Sequence, residues 1–157
     1  MGLTLTTRSE FIAAVRSTLQ QSLAAGSGEI LCSDPDFADW PLDEPALLDA
    51  LTAWARPHRR LVLLAQQYDD LQRRLPRFVR WRVTWSHVVQ AYTPNELSAG
   101  DHPTLIVGGP VMLEMLDRPR WRGRVSEEGA DAHRAREALD VILQRSSSAF
   151  AATTLGL

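Results

Sequence analysis

The sequence predicts an α/β fold, a single-domain mixed β-sheet flanked by α-helices, and three observations carry that expectation. Apolar residues at helical spacing alternate with short apolar runs over the first two-thirds of the chain, the order that sets helices beside the strands of one sheet. Gly108-Gly109-Pro110 then separates two apolar runs as a hairpin turn, which makes one strand pair antiparallel and the sheet mixed. Finally, 157 residues, 45% apolar and 23% charged, suit one domain spanning 1–157, with no repeat, low-complexity tract or linker to divide it.

The elements follow in order. Thr7 with Glu10 three residues later forms a capping-box pattern, in which each side chain satisfies a free backbone N–H at the start of a helix. Phe11, Ile12, Val15, Leu19 and Leu23 give that helix its apolar stripe, and Gly26-Ser27-Gly28 ends it. Glu29 to Ser33 reads as the first strand. The run Asp34-Pro35-Asp36-Phe37-Ala38-Asp39-Trp40-Pro41 is turn-forming, with Phe37 and Trp40 tucked against the core. Asp43 is placed to cap a second helix, with Pro45 in the first turn, where a missing N–H costs nothing. Leu47, Leu48, Leu51, Trp54 and Ala55 form its buried stripe.

Arg60 to Ala65 encloses Leu61-Val62-Leu63-Leu64, a continuous apolar run typical of a strand covered on both faces. A third helical stretch starts near Gln67 and breaks or restarts at Pro76. Phe78, Trp81 and Trp85, at i, i+3 and i+7, set three rings on one face as core or interface. His87 to Tyr92 is the third strand, ended by Thr93-Pro94-Asn95. Leu105 to Val107 is the fourth and Val111 to Leu116 the fifth. Arg118, Arg120, Arg122 and Arg124 alternate with Pro119, Trp121, Gly123 and Val125, so an extended backbone would put all four guanidinium groups on one side. The last helix, Ala130 to Gln144, turns Ala135, Ala138, Leu139, Ile142 and Leu143 inward. The charge-free tail Ala149 to Leu157 is expected to pack on something rather than extend into water, and it is compatible with self-association.

Composition excludes several chemistries. All 17 basic residues are arginine, so the chain supplies no Schiff-base lysine, no phosphate-loop lysine and no Ser–Lys or His–Lys pair. The single cysteine, Cys32, cannot form an internal disulfide, and no apolar run approaches the ~20 residues of a membrane span. The start also lacks a charged region followed by a signal core, so the expected location is the cytoplasm. The net charge of −2 is unevenly distributed. Glu29 to Asp49 holds seven acids and no base, whereas Arg56 to Arg82 holds eight arginines against Asp69 and Asp70. Such lobes are solvated faces, or they steer a partner or an identical subunit.

No metal and no cofactor are expected. The histidines at 58, 87, 102 and 133 form no close pair, and Cys-x-x-Cys is absent. Asp34, Asp36 and Asp39 lack the glycine and later glutamate of a calcium loop, so turn-forming roles suit them better. Gly26 and Gly28 precede a strand where a dinucleotide fingerprint follows one, and no Gly-x-Ser-x-Gly elbow occurs. Cys32, inside a strand, reads as a small buried residue rather than a nucleophile.

One segment, His102-Pro103-Thr104-Leu105-Ile106-Val107-Gly108-Gly109, resembles the motif of the phospholipase D superfamily. That motif is His, any residue, Lys, four residues, Asp, with the histidine attacking phosphorus. His102 matches the nucleophile, Thr104 stands at the lysine position and Gly109 at the aspartate position. The order of elements around the motif also resembles one repeat of that superfamily. The chain looks, besides, like an uncharacterised bacterial domain family related to it, through the segments 34–42, 80–87 and 152–157. These resemblances imply a phospholipase D-like repeat without naming an activity.

Phosphoryl transfer needs positive charge at the developing equatorial oxygens and a positioned proton acceptor. Thr104 offers a neutral hydroxyl and Gly109 no carboxylate, and losing one such donor costs about 3–4 kcal/mol of transition-state stabilisation. The expectation is therefore a noncatalytic domain acting as an interaction or scaffold module, with His102 structural or a ligand contact. Single-repeat members of the superfamily pair face to face, so the resemblance implies a homodimer. A second reading is binding of phosphate or nucleic acid through Arg118, Arg120, Arg122 and Arg124 around Trp121, with Arg73, Arg74, Arg77, Arg80 and Arg82 near Trp81. A third is a residual phosphodiesterase using His102. The candidate ligand-binding residues are His102, Thr104, Arg118, Arg120, Arg122 and Arg124.

Overall fold

The computed structural model describes residues 2–152. In chain order the elements are β1 (Leu3–Leu5), α1 (Arg8–Ala24), β2 (Glu29–Ser33), α2 (Pro45–Trp54), β3 (Arg60–Leu64), α3 (Asp69–Arg74), α4 (Pro76–Thr84) and β4 (Val89–Pro94). A short 3-10 turn (Ala99–Asp101) leads to β5 (Leu105–Gly108), β6 (Val111–Asp117), β7 (Arg122–Ser126), α5 (Gly129–Leu143) and β8 (Ser146–Ser148). The described strands form one sheet in the order β1-β7-β6-β5-β2-β3-β4-β8. β2, β3 and β4 run parallel to their neighbours within that trio, and every other pair is antiparallel. The fold is the mixed α/β arrangement expected.

Helices cover both faces. Ile30, Cys32, Leu61 and Leu63 point into a large cluster shared with α1, α2, α3 and α4, while Leu31, Val62 and Leu64 point into a smaller cluster under α5. This is why β2 and β3 read as unbroken apolar runs: neither face of a central strand meets water. The capping box of α1 forms as its sequence predicts, with Thr7 Oγ1 accepting from the Glu10 N–H and Glu10 Oε1 accepting from the Thr7 N–H. Ser22 of α1 presses on the end of β5, where any side chain at Gly108 would overlap it.

Several expectations are corrected. Asp43 does not cap α2, whose N-cap residue, Glu44, makes no side-chain capping bond. Asp43 Oδ1 instead accepts the Phe78 N–H at 2.9 Å and caps the first turn of α4, which Pro76 opens. The three rings of the α4 face are core, with Phe78 and Trp81 buried and stacked at 6.0 Å and Trp85 against the same cluster. In α5 Ala138 is exposed and Ala132 buried, because Ala132, Ala135 and Leu139 recur at helical spacing on the sheet side. β4 starts after His87 and continues to Pro94, since β8 pairs with its end. Ala149 and Phe150 pack on the core as expected of the tail, whereas 153–157 lie outside the described residues. Among the described residues no helix is long and apolar enough to cross a membrane.

Candidate functional site

The carboxyl ends of β2 and β3 meet the beginning of β5, the edge of an α/β sheet where ligands usually bind. Ser33 ends β2 and Asp34 follows it; Leu64 ends β3 and Gln66 lies just beyond; His102 and Thr104 lead into β5, which pairs Leu105 with Ser33. Residues some 70 positions apart are thereby brought together.

His102 is only 6% exposed, and both ring nitrogens are engaged. Nε2 lies 3.2 Å from the Leu64 carbonyl and 3.0 Å from Ser33 Oγ, and Nδ1 lies 3.0 Å from Gln66 Nε2. The partners determine the tautomer. Gln66 Nε2 also donates to the Leu97 carbonyl at 2.8 Å, so it is the amide NH₂, and Nδ1 is its acceptor. Ser33 Oγ donates to the Pro103 carbonyl at 2.8 Å, which leaves it to accept from Nε2–H together with Leu64. The imidazole is thus neutral and carries its proton on Nε2. Burial pushes its pKa below the ordinary value and outweighs the Leu64 carbonyl and the Asp34 charge, which act the other way.

Asp34, fully buried at 0% exposure, is the hub of a second cluster. Its Oδ1 accepts from Thr104 Oγ1 at 2.7 Å and from Arg118 Nε at 3.1 Å. Its Oδ2 accepts from the Phe37 N–H at 2.8 Å and the Asp36 N–H at 3.3 Å, which holds Phe37 in a left-handed conformation (φ 59°). The turn-forming role expected of Asp34 is real, yet it occupies one oxygen only. The Arg118 guanidinium lies against the rings of Trp121 and Phe11, at 4.4 and 4.8 Å, which themselves meet at 5.4 Å, and Trp121 takes a left-handed φ of 60° where the chain turns. Arg118 Nη2 also reaches Asp39 Oδ2 at 3.3 Å, and Asp39 Oδ1 accepts from Arg8 at 2.9 Å. Two carboxylates therefore meet two guanidinium groups along one connected path.

The structure separates the remaining candidates. A turn at 118–121 interrupts the alternation, so the four arginines do not share one side. Arg120 pairs with Asp117 at 3.0 Å, and Arg124 with Glu114 at 3.2 Å and Asp131 at 3.4 Å. Arg122, exposed on β7, forms no ion pair among the described residues. Gly109 sits at the far end of β5 from His102, in the hairpin beside Ser27 with φ 66°, so the third motif position does not join the site. Cys32 is buried in β2, where burial raises its thiol pKa. Asp36 is pushed up by burial, with the Asp34 charge adding to the shift. Among the described residues no group of three or more His, Cys, Asp or Glu is placed to hold a metal ion.

Sequence reasoning overlooked Ser33, Asp34, Gln66 and Asp39 as neighbours of His102 and Thr104. The available signal was position: Ser33-Asp34 and Gln66 follow the two apolar runs that become adjacent parallel strands.

No protein-family model and no curated protein matches the chain. Solved structures do share its fold. The archaeal chromatin protein TrmBL2, whose structure shows a novel mode of DNA binding, superposes with a TM-score of 0.63 at 10% identity over 94% of this chain and 53% of its own. NucT from Helicobacter pylori superposes with a TM-score of 0.58 at 5% identity over 95% of this chain and 99% of its own. This chain spans about half the length of TrmBL2 and nearly all of NucT, and at these identities what it has in common with them is the fold.

Proposed function

We propose that this chain is a phospholipase D-like domain without phosphodiesterase activity, in which the motif region has become a structural junction and the domain serves as an interaction or scaffold module, paired as a homodimer. The observation that carries the reading is His102: a nucleophile toward phosphorus needs an accessible nitrogen lone pair, and here the only one, on Nδ1, accepts from Gln66 inside the protein. Thr104 turns its hydroxyl to Asp34 rather than outward, and Arg118, which shares Asp34 with it, is matched by Asp34 and Asp39. The whole-chain fold likeness to NucT supports the superfamily assignment. For pairing, the aromatic face of α4 is unavailable, being core, while Leu3 and Leu116 are exposed at the β1 end of the sheet. The test is twofold. Sedimentation at micromolar concentration should give a dimer, and bis(p-nitrophenyl) phosphate should turn over no faster with the protein than with buffer. A clean monomer removes the pairing, and turnover abolished in His102→Ala removes the noncatalytic assignment.

The DNA-binding character of TrmBL2 favours one second reading, nucleic-acid contact. Its support here is α3 and α4, which expose Arg74, Arg77 and Arg80, rather than the 118–124 segment, whose charges are largely matched. Affinity for single-stranded DNA should then fall steeply with salt and with the triple change Arg74→Gln, Arg77→Gln, Arg80→Gln. Salt-insensitive binding, or none at low salt, dismisses this reading.

A further inference from the structure

A more deeply buried arginine is handled in the opposite way from Arg118. Arg82 on α4 is 6% exposed, and its Nε donates to the Phe150 carbonyl at 3.1 Å. Nη1 is sealed from solvent, and among the described residues it has no hydrogen-bond partner and Arg82 forms no ion pair. Phe150, at a left-handed φ of 48°, lays its ring 5.5 Å from the guanidinium carbon, and Tyr68 stacks on that ring at 5.1 Å. The Tyr68 hydroxyl donates to the Tyr92 carbonyl, and burial raises its pKa, so it supplies no counter-charge. Burial likewise draws the Arg82 pKa down. Holding a guanidinium inside a protein without a carboxylate is costly, and chains usually match such a charge, as this one does at Arg118.

Arg82 also lines a cleft of about 440 Å³. The cleft lies beyond the last β4–β8 contact, the Ala149 N–H to Ala91 carbonyl bond at 2.9 Å, and is lined by Val89 and Ala91 of β4 and by Ala149 and Phe150. Gln90 and Ser148 add polar groups at its margin. The helix that bears Arg82, α4, also carries Arg77 and Arg80, both exposed, and no acid.

We infer that this cleft binds a small organic anion, a carboxylate or phosphate monoester with an apolar body, whose charged end pairs with Arg82 and whose body lies on Val89, Ala91 and Phe150. The ligand's anionic group supplies the counter-charge that Arg82 lacks among the described residues, meeting the part of the side chain that lines the cleft, and the apolar wall selects against simple inorganic ions. The site is independent of the reading of His102.

Thermal unfolding of the intact chain, followed by tryptophan fluorescence, tests this in sodium benzoate, phenyl phosphate and inorganic phosphate against sodium chloride of equal ionic strength. A ligand at ten times its Kd should raise Tm by about 3–6 °C for a domain of this size. The rise should persist in the surface control Arg120→Gln and vanish in Arg82→Gln. A response to benzoate alone identifies a carboxylate ligand, and a response to phenyl phosphate alone a phosphate monoester; either supports the site. Should Arg82→Gln not fold, the Arg82 Nε–H resonance of the unaltered protein gives the same answer by shifting on titration with the active anion. No Tm response to any of the three anions, an equal response in Arg82→Gln, or an unmoved Arg82 resonance overturns the inference.

Discussion

Asp34 allows the sharpest test of the buried junction, because its two oxygens serve four donors. Asp34→Ala strands them unequally. The Phe37 N–H and the Thr104 hydroxyl are buried, and leaving such groups unpaired costs about 1–3 kcal/mol each. The Asp36 N–H, at 3.3 Å, is held loosely and adds little. Arg118 loses one carboxylate but keeps Asp39 and two rings, and its side chain is 24% exposed, so the full ~3–5 kcal/mol of an abandoned buried charge does not apply. The expected loss is about 3–5 kcal/mol. Asp34→Asn should lose less, about 1–3 kcal/mol, because the amide oxygen still accepts from Phe37 and the Thr104 hydroxyl can rotate to accept from the new NH₂. At roughly 2–4 °C per kcal/mol, Asp34→Ala lowers Tm by about 6–20 °C. Urea unfolding read by tryptophan fluorescence is a suitable assay, since Trp40 and Trp121 lie beside the cluster. A loss under about 1 kcal/mol for Asp34→Ala, or an Asn variant as damaged as the Ala variant, refutes the hub.

His102 should titrate by NMR below the ordinary value of about 6.5, with nitrogen shifts showing the proton on Nε2. The sign follows from linkage: with the folded pKa depressed, the unfolded chain binds the proton first as pH falls. The contribution is complete above about pH 6.5 and declines as pH drops from there toward the folded pKa, and a His102→Gln variant should lack that component of the pH–stability curve. Restoring the superfamily residues by Thr104→Lys with Gly109→Asp should give no phosphodiester turnover, because position 109 lies at the wrong end of β5 and His102 remains enclosed. Thr104→Lys alone should lower Tm by setting a second cation beside Arg118 in a buried position; a variant that gains both activity and stability contradicts the structural reading of the motif.

What was legible in the sequence was local. The α1 capping box acts over three residues, the Leu47–Trp54 stripe over two turns, and the runs in β2 and β3 declare strands buried on both sides. What escaped depends on pairing at long range. β1 and β8 are three-residue strands, and Ser146–Ser148 has no apolar alternation, so each exists because a neighbouring strand accepts it. Asp43 obeys the rule for a capping residue but serves a helix 35 positions away. The arginine run fails for a different reason. Its period of two assumes an extended backbone, and the turn at Trp121 ends that condition, after which Glu114 meets Arg124 through the β6–β7 register. The motif led to the sheet edge where His102 and Thr104 lie, while their neighbours Asp34, Ser33 and Gln66 stood at or just past the ends of two apolar runs, where nothing local marked them.

Arg118 and Arg82 together bear on where any anion can bind. A phosphate arriving at Arg118 must displace Asp34 or Asp39, both already in hydrogen-bonding contact, and the displaced Asp34 carboxylate would remain fully buried with no cation. The gain of a new ion pair is then set against the loss of an existing one plus an unmatched interior charge, and the exchange is unfavourable. At Arg82 the balance reverses: among the described residues no carboxylate has to move, so the pair formed by an incoming anion is a net addition. Electrostatics alone therefore directs a small anion away from the edge that bears His102 and Thr104 and toward the cleft beside β4 that Arg82 lines. Ligand-induced shifts in an NMR titration should cluster at Arg82, Ala91 and Phe150. Shifts at Thr104 and Arg118 instead would mean that the Asp34 junction opens more readily than its hydrogen bonds imply.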